Sequence, residues 1–381
     1  MFVSQKKAIF LCFILVSIFF NPVYGGICEQ SIFQPNKASR ANYVISDPIE
    51  ITSDEDFLQF EGSGTFEDPY LIENLNITTE DVYGIFISST TKYFIIQNCF
   101  IDAYYAGIFL EFVEEGTAMI TNNICSRSEQ VNGMGICFFF SEGVVISNNI
   151  CSGNAGWGME VWGAHYSYVF DNICNNNGQS GIITILSDNS EISENICNGN
   201  GRYGIRVSLS DKMKLESNVC KRNEEAGLFL EVAEIVSLMN NTFAESEGFG
   251  ILAEEAGYCS IDYNTFQNNS NYGIYFDHRS NNSYVHHNNF IDNAPYGSSQ
   301  AMDEGENNLW CDRANEKGNF WEDWNKRGSY KLDGKANSED LYPSRSSFSY
   351  DLNPTETTAK LSINIKSISF FLFLFVFFMT I

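Results

Sequence analysis

A glycine followed by an aliphatic residue recurs at a fixed interval through most of the chain. Successive pairs are 23 residues apart, with one longer step of 28 residues. The pairs are Gly84-Ile85, Gly107-Ile108, Gly135-Ile136, Gly158-Met159, Gly181-Ile182, Gly204-Ile205, Gly227-Leu228, Gly250-Ile251 and Gly273-Ile274. Self-similarity at a constant period is the signature of a repeat protein whose units stack on their neighbours. The chain is therefore predicted to form a solenoid.

The pattern inside each repeat indicates which solenoid it is. The first and third residues after the glycine are apolar, as in Ile205 and Val207, whereas the second and fourth vary freely. This period of two is typical of a strand with one buried face. No stretch shows a helical period, and each repeat has room for three short strands and three turns. We predict an all-β fold, a right-handed parallel β-helix of roughly ten coils, with the hand taken from parallel crossover connections.

Two further columns share the same period. One is an Asn-x-Cys/Phe series that we assign to turns, because Asn tolerates left-handed backbone and stacked amides can bond along the solenoid. It consists of Asn98, Asn123, Asn149, Asn172, Asn195, Asn218, Asn241, Asn264 and Asn288. The other column holds Cys125, Cys151, Cys174, Cys197 and Cys220, and also Phe100, Phe243, Phe266 and Phe290. A position that accepts Cys or Phe is typical of an apolar interior.

We therefore expect a ladder of free thiols in the interior. A disulfide framework, usual in secreted proteins, is the alternative. The column gives no assignment for Cys28, Cys99, Cys137, Cys259 and Cys311.

The two ends of the chain differ from the repeats. Lys6 and Lys7 precede an apolar run from Ala8 to Phe20, which predicts a signal peptide over residues 1–25, with an uncleaved anchor as the alternative. Residues 361–381 are mostly apolar and predict a membrane anchor, or a signal replaced by a lipid. The remaining predicted segments are an N-terminal cap over 26–61, the β-helix over 62–343 with an aromatic plug at 307–343, and a Ser/Thr/Pro stalk over 344–360.

The charge balance limits the partners. The chain carries 48 acidic and 22 basic residues, a net charge of −26, which excludes general binding to nucleic acid because phosphates need a cationic face. Together with the predicted leader and tail, this negative charge indicates a monomer tethered at the cell surface with an acidic, hydrated exterior.

The outward positions of the Gly-aliphatic strand are the candidate binding face. Exposed aromatic rows are typical of a surface that binds a ligand or a partner. The predicted ligand-binding residues are Phe109, Phe139, Glu160, Trp162 and Phe229. We expect a glycan or another surface protein to bind here. The alternative is that loop insertions within 111–117 and 126–132 cover these side chains as ordinary packing.

An acidic row lies farther along the same face. Glu231, Glu254 and Asp277 fall on successive coils, with Arg206 one coil before Glu231. Carboxylates at that spacing raise one another's pKa or share a cation, so a Ca²⁺ ion could bind to this row, and no other cofactor is expected. These four residues are the candidates for catalysis if the protein is a polysaccharide lyase or glycoside hydrolase. The four histidines predict no metal site, although His278, His286 and His287 fall within about one coil of the solenoid.

Two flanking motifs carry a family resemblance. They are the segment Gly62–Asn74, which leads into the first coil, and Gly318-Asn-Phe-Trp-Glu-Asp-Trp324, which follows the last. Together with the coils they resemble the exported parallel β-helix repeat proteins related to the periplasmic copper-binding NosD-type family, of pectin-lyase-like fold. Phe320 and Trp324 replace two tyrosines of the family's closing motif.

This resemblance implies an architecture more than an activity, because lyases, hydrolases, epimerases and binding proteins share the fold. The polygalacturonase-type Gly-His-Gly and Asn-Thr-Asp signatures are missing. So is the Met/His-rich sequence expected for handling copper. By family analogy alone, a third hypothesis is an accessory protein for metal-site assembly. The closing motif is expected to cover the open end of the solenoid with Trp310, Phe320, Trp321 and Trp324.

Overall fold

The computed structural model describes residues 43–297 and 299–349, which belong to one compact unit. The predicted signal peptide and membrane anchor, and the predicted stalk beyond residue 349, lie outside the described residues. Within this part of the chain no helix is long and apolar enough to cross a bilayer. Almost all regular structure is β, arranged as three parallel sheets that run along the solenoid.

The longest sheet, which we call sheet 1, is built from the strands that follow the repeated glycines. Its 11 strands pair in parallel with their neighbours in the preceding and following coils, for example Ile182 with Ile205 and Ile205 with Leu228. The strands are Ile49–Ile51, Tyr83–Ser88, Ala106–Glu111, Met134–Phe139, Met159–Trp162, Ile182–Ile185, Tyr203–Ser208, Ala226–Glu234, Phe249–Gly257, Ile274–Phe276 and Ala301–Asp303.

Sheet 2 has 10 strands, one from each coil, and its central positions form an apolar column that points inward. The strands are Tyr70–Glu73, Phe94–Gln97, Ala118–Thr121, Val145–Ser147, Tyr168–Phe170, Glu191–Ser193, Lys214–Glu216, Ser237–Met239, Ser260–Asp262 and Tyr284–His286.

Sheet 3 consists of two ribbons joined by single bridges that run from Ile124 to Val219. The first ribbon is Val44–Ile45, Leu75–Thr78, Phe100–Asp102 and Ile124–Cys125. The second is Val219–Lys221, Thr242–Ala244, Thr265–Gln267, Asn289–Ile291 and Phe320–Trp321. Three parallel sheets, to which successive coils each contribute a strand or a bridge, confirm the predicted parallel β-helix.

The repeated glycine is required by the interior of the coil. A Cβ added at Gly107 would lie 2.9 Å from the Cβ of Cys125, and one added at Gly227 would lie 2.9 Å from the Phe243 ring. Both distances are shorter than any ordinary van der Waals contact. The glycine column and the Cys/Phe column therefore depend on each other, which explains why both keep the same period.

The Cys/Phe column lies in the interior, as predicted. Cys125, Cys151, Cys174, Cys197 and Cys220 are fully buried, and all nine cysteines among the described residues are free. One assignment was wrong: Phe100 pairs with Ile124, and Ile101 is the residue that pairs with Cys125. The first coils depart from the 23-residue step, and counting from the Asn series therefore placed this coil one residue out of register.

The asparagine column forms a continuous buried hydrogen-bond ladder. At each step the side-chain oxygen of one Asn accepts bonds from the backbone N–H and side-chain amide of the Asn one coil earlier, as between Asn172 and Asn195. The ladder runs from Asn123 to Asn319. Asn98 is not its first member, because the N–H that bonds Asn123 belongs to Cys99.

Both ends of the described solenoid are covered. At the start, the 3₁₀ helix Asp54–Gln59 inserts Phe57, which stacks on Tyr70 at 5.1 Å. Parallel pairing already begins at Val44, before the predicted boundary at residue 62. At the other end, Trp321 stacks on Phe290 and on Tyr330, each at 4.1 Å, next to the short antiparallel pair Tyr330–Lys331 and Glu339–Asp340.

Candidate functional site

The outward face of sheet 1 is more buried than the sequence predicts. Phe109 and Phe229 are only 8% and 5% exposed. Tyr83 packs on Phe109 and Tyr203 packs on Phe229, each with ring centroids 4.8 Å apart. The expectation that Phe109 and Phe229 are exposed was therefore wrong. The repeated glycine faces the interior of the coil. The tyrosine just before that glycine therefore points outward, where it lies over the neighbouring phenylalanine.

Phe139 and Trp162 remain accessible at the end of adjacent strands. They are register partners, both half-buried, with ring centroids 5.4 Å apart in an edge-to-face arrangement. The same column continues through Ile185 and Ser208 to Glu231. One line of paired residues thus changes from aromatic to polar over successive coils.

A second row of apolar residues lies beside this column, in the turn that follows each sheet 1 strand. These residues all have positive φ angles of 47–52° and are exposed or, in one case, half-buried. They are Phe112, Phe140, Leu186, Leu209 and Val232. We call this set the turn row. The strand alternation does not extend to these turns, but each member stands five residues after a repeated glycine, so the same 23-residue period identifies it.

The turn row is unusual because it combines two unfavourable features. A left-handed backbone conformation costs a residue with a side chain roughly 1–2 kcal/mol. The cost is expected to be higher for a β-branched residue such as Val232. Leu209 and Val232 are also 49% and 40% exposed. Phe140 lies across Gly163, where an added Cβ would be 2.6 Å from its ring, and it stacks in parallel with Phe112 at 5.9 Å. We call the turn row together with Phe139 and Trp162 the apolar strip.

Arg206 and Glu231 form the polar end of the strip. The Arg206 guanidinium donates to Glu231 at 2.5 Å, and the Ser208 hydroxyl donates to the same carboxylate oxygen. Burial of Glu231 raises its pKa, but the bonds from Ser208 and Arg206 outweigh burial and leave the pKa lowered. The carboxylate is therefore ionised and held in place.

The acidic row does not gather around one point. The Asp277 carboxylate accepts bonds from the Ser280 hydroxyl and from the backbone N–H groups of Glu255 and Arg279, so it holds a turn. These bonds leave its pKa lowered despite burial. Glu254 is exposed, and its pKa is raised, by burial first and then by Asp277 and Glu231. Among residues 43–297 and 299–349, no group of three or more His, Cys, Asp or Glu side chains is arranged to hold a metal ion.

Glu160 is the predicted site residue with the most perturbed electrostatics. It lies on the same strand as Trp162, half-buried, with the Cys137 thiol 3.9 Å from its carboxylate. Burial raises the pKa of Glu160 to about 7, although the Arg206 charge opposes that shift. Burial, followed by the Glu160 charge, also raises the pKa of the Cys137 thiol well above its usual range. This carboxyl can therefore gain or lose a proton near neutral pH.

The histidines are divided between two places. His278 is 76% exposed in its side chain and lies 3.7 Å from Asp277. His286 and His287, in contrast, face each other at the end of sheet 2 with their Nδ1 atoms 2.6 Å apart.

Three parallel sheets, buried Asn and Cys/Phe ladders and aromatic ends define this molecule as a parallel β-helix protein. The profile of one family, described as "Periplasmic copper-binding protein (NosD)", matches residues 37–189 and 174–326. These matches cover more than half of the chain, which therefore belongs to the NosD family. The periplasmic description fits an exported protein. Comparison with curated proteins gave no significant match.

Several solved β-helix structures are similar to the chain. The A-module of mannuronan C-5 epimerase AlgE4 of Azotobacter vinelandii is 17% identical over 52% of this chain and 59% of its own, with a TM-score of 0.46. DFA-IIIase from Arthrobacter chlorophenolicus A6 is 12% identical over 81% and 84%, with a TM-score of 0.48. The Dettilon tailspike protein is 15% identical over 71% and 64%, also with a TM-score of 0.48. The chain thus spans about three fifths of the epimerase module.

Proposed function

We propose that this protein is an exported glycan-binding β-helix protein that binds a saccharide chain along the apolar strip. The observation that carries the proposal is the turn row. Exposed apolar residues in strained left-handed backbone cost stability in the free protein, where Gly or Asn would be better tolerated. The presence of these residues on the surface is explained if a ligand covers them when it binds.

The arrangement of the strip favours a glycan. Trp162 and Phe139 offer aromatic surfaces, and aromatic rings accept the apolar C–H face of a sugar ring. Arg206 and Glu231, two and three coils beyond Trp162, supply a charged donor and acceptor for hydroxyl groups. Coils stack about 4.8 Å apart, a spacing similar to the length of one pyranose unit in an extended chain. An extended glycan can thus meet an equivalent position on each coil.

The test is binding to an array of neutral and acidic oligosaccharides at pH 7, followed by affinity measurement on the glycan that binds best. Trp162→Ala is expected to weaken that binding by roughly 1–3 kcal/mol, the loss typical of an aromatic anchor. Tyr296→Ala is the matched control, because Tyr296 is an aromatic residue 99% exposed and away from the strip. The proposal is overturned if no glycan binds, or if Trp162→Ala binds as well as the wild type. Capture of a surface protein instead would replace glycan by protein as the partner.

A second candidate function is acid–base chemistry on the bound saccharide, and Glu160 is the observation that favours it. A carboxyl that titrates near pH 7 is suited to proton transfer, and Glu160 lies two residues before Trp162 on the same strand. Glu231 and Asp277, by contrast, are engaged in an ion pair and a turn. If the wild type cleaves or epimerises the bound glycan and Glu160→Gln does not, the protein is an enzyme. If the glycan is unchanged by both proteins, the protein only binds it.

The tether is part of the same proposal. Residues 361–381 are mostly apolar and follow a polar segment, a layout typical of a membrane anchor or of a signal replaced by a lipid. Deletion of 361–381 is expected to release folded protein into the medium. If the truncated protein stays in the membrane fraction, the leader is retained as the anchor instead.

A further inference from the structure

The chain contains four Asn-x-Ser/Thr motifs, the acceptor sequence for N-linked glycosylation of exported proteins. Their asparagines are Asn76, Asn240, Asn268 and Asn281. A motif this short also arises by chance in an Asn-rich repeat. A glycan is bulky and hydrophilic, so the asparagine that carries it must lie at the surface, with a side-chain amide that the fold does not use. The four motifs differ sharply by this criterion.

Three of the four asparagines have side chains that are engaged in the fold. Asn76 lies within the sheet 3 strand Leu75–Thr78, and its side-chain oxygen is buried. The side-chain amide of Asn240 donates to the Ser217 hydroxyl at 3.0 Å. Asn281 accepts a bond from the backbone N–H of Glu306 and donates to a backbone carbonyl of its own turn. A glycan at any of these positions would disturb the packing or the bonds of that side chain.

Asn268 has none of these constraints. It is exposed, in the turn that follows the sheet 3 strand Thr265–Gln267. Its backbone N–H donates to the Ile291 carbonyl of the next coil at 2.9 Å, so the turn is held by the main chain. Across the described part of the chain its side-chain amide makes no hydrogen bond. The amide nitrogen is therefore available for modification without loss of a contact.

The other two residues of this motif favour the same conclusion. Ser270, which supplies the required hydroxyl, is exposed. Asn269 between them is fully buried and donates to Asn293 at 2.8 Å, so it anchors the turn and leaves the residues on either side of it at the surface. In contrast, Ser283, the hydroxyl residue in the motif of Asn281, is only 1% exposed.

The surroundings of Asn268 leave room for a sugar. The equivalent turn positions on the two neighbouring coils hold Glu245 and Asp292, both exposed. Because coils stack about 4.8 Å apart, the first sugar would lie beside these hydrated carboxylates and extend into solvent. This turn leads into sheet 1, whereas the apolar strip lies in and beside the turn after it. The modification therefore leaves the strip open, and the inference rests on export but not on glycan binding.

We propose that Asn268 is an N-glycosylation site of the exported protein and the preferred acceptor among the four motifs. The donor is an oligosaccharide joined through phosphate to a lipid carrier, and an oligosaccharyltransferase catalyses the transfer. The side-chain nitrogen of Asn268 forms a bond to the anomeric carbon of the first sugar. The bond from that carbon to the phosphate oxygen breaks, its electron pair leaves with the lipid phosphate, and the amide nitrogen loses one proton.

The test is secretion of the full chain by a cell that carries this transferase, followed by mass spectrometry of the peptides. In the wild type most molecules are expected to carry a glycan at Asn268, with little or none at Asn76, Asn240 or Asn281. Asn268→Gln and Ser270→Ala should each remove that glycan, which is seen as the loss of one step in gel mobility. Asn240→Gln is the matched control and should leave the mobility unchanged.

Both test variants keep the backbone of the turn. Arg222 and Glu245 occupy the equivalent position with φ angles of 56° and 58°, so a long side chain is compatible with it. Ser270 donates its backbone N–H to the Ser246 carbonyl, a bond that Ala retains. The wild-type peptide reports the site whether or not the variants fold. An unmodified Asn268 in the secreted wild type, a glycan that persists in Ser270→Ala, or equal or higher occupancy at another of the four motifs would overturn the proposal.

Discussion

Replacing Asn195 by Ala tests how much the buried amide ladder contributes to the stability of the solenoid. Asn195 is fully buried, and its side-chain amide donates to the carbonyls of Val169 and Ser193 and to Asn218. Its side-chain oxygen accepts two further bonds from Asn172. Each buried bond is worth about 1 kcal/mol net, and a buried N–H left without a partner costs about 1–3 kcal/mol. The five lost bonds together give an expected loss of about 5 kcal/mol in the free energy of unfolding.

The assay is urea unfolding followed by circular dichroism, with Asn271→Ala as the control. Asn271 is exposed and outside the ladder, so the control should change stability by less than about 0.5 kcal/mol. Asn195→Asp is expected to be at least as harmful, because it buries a carboxylate facing the Asn218 side-chain oxygen. A loss below about 1 kcal/mol in Asn195→Ala would contradict the reasoning, since the expected unsatisfied N–H alone costs that much.

Two further perturbations test the interior and the face. Cys174→Ala should open a cavity beside Cys151 and Cys197 and lower the free energy of unfolding by roughly 1–3 kcal/mol. Reducing agent, in contrast, should leave the melting temperature of the wild type unchanged. A large drop in that temperature under reduction would refute the free-thiol ladder. Folding raises the pKa of Glu160 from 4.5 to about 7, so its protonated form is favoured and its contribution to stability falls as pH rises from about 4.5 through 7. Glu160→Gln should remove that part of the pH dependence of urea unfolding, and identical pH profiles would refute it.

The interior could be predicted from sequence because it obeys one period. The Gly column, the Cys125–Cys220 column and most of the Asn ladder are fixed by pairing between neighbouring coils. Prediction failed where the step changes: Phe100 and Asn98 precede the regular coils and were placed one residue out of register.

The outer face was harder to predict because the alternation of apolar and polar residues indicates which way a side chain points, but not which neighbouring side chains cover it. The pattern places Phe109 outward, but it does not show that Tyr83 lies on it. The His286–His287 pair depends on a left-handed φ at His287, which alternation cannot predict for a histidine. The turn row, including Leu209, follows the repeat but falls in a turn, where apolar residues are not expected.

Hydroxyl-radical footprinting with and without a bound glycan tests the central claim most directly, because it reports which side chains the ligand covers. We predict that oxidation of Phe140, Trp162 and Leu209 falls when the glycan is bound, whereas that of the exposed Tyr296 stays the same. A glycan that binds while these three side chains are oxidised as before, or that protects a different face, would contradict the account.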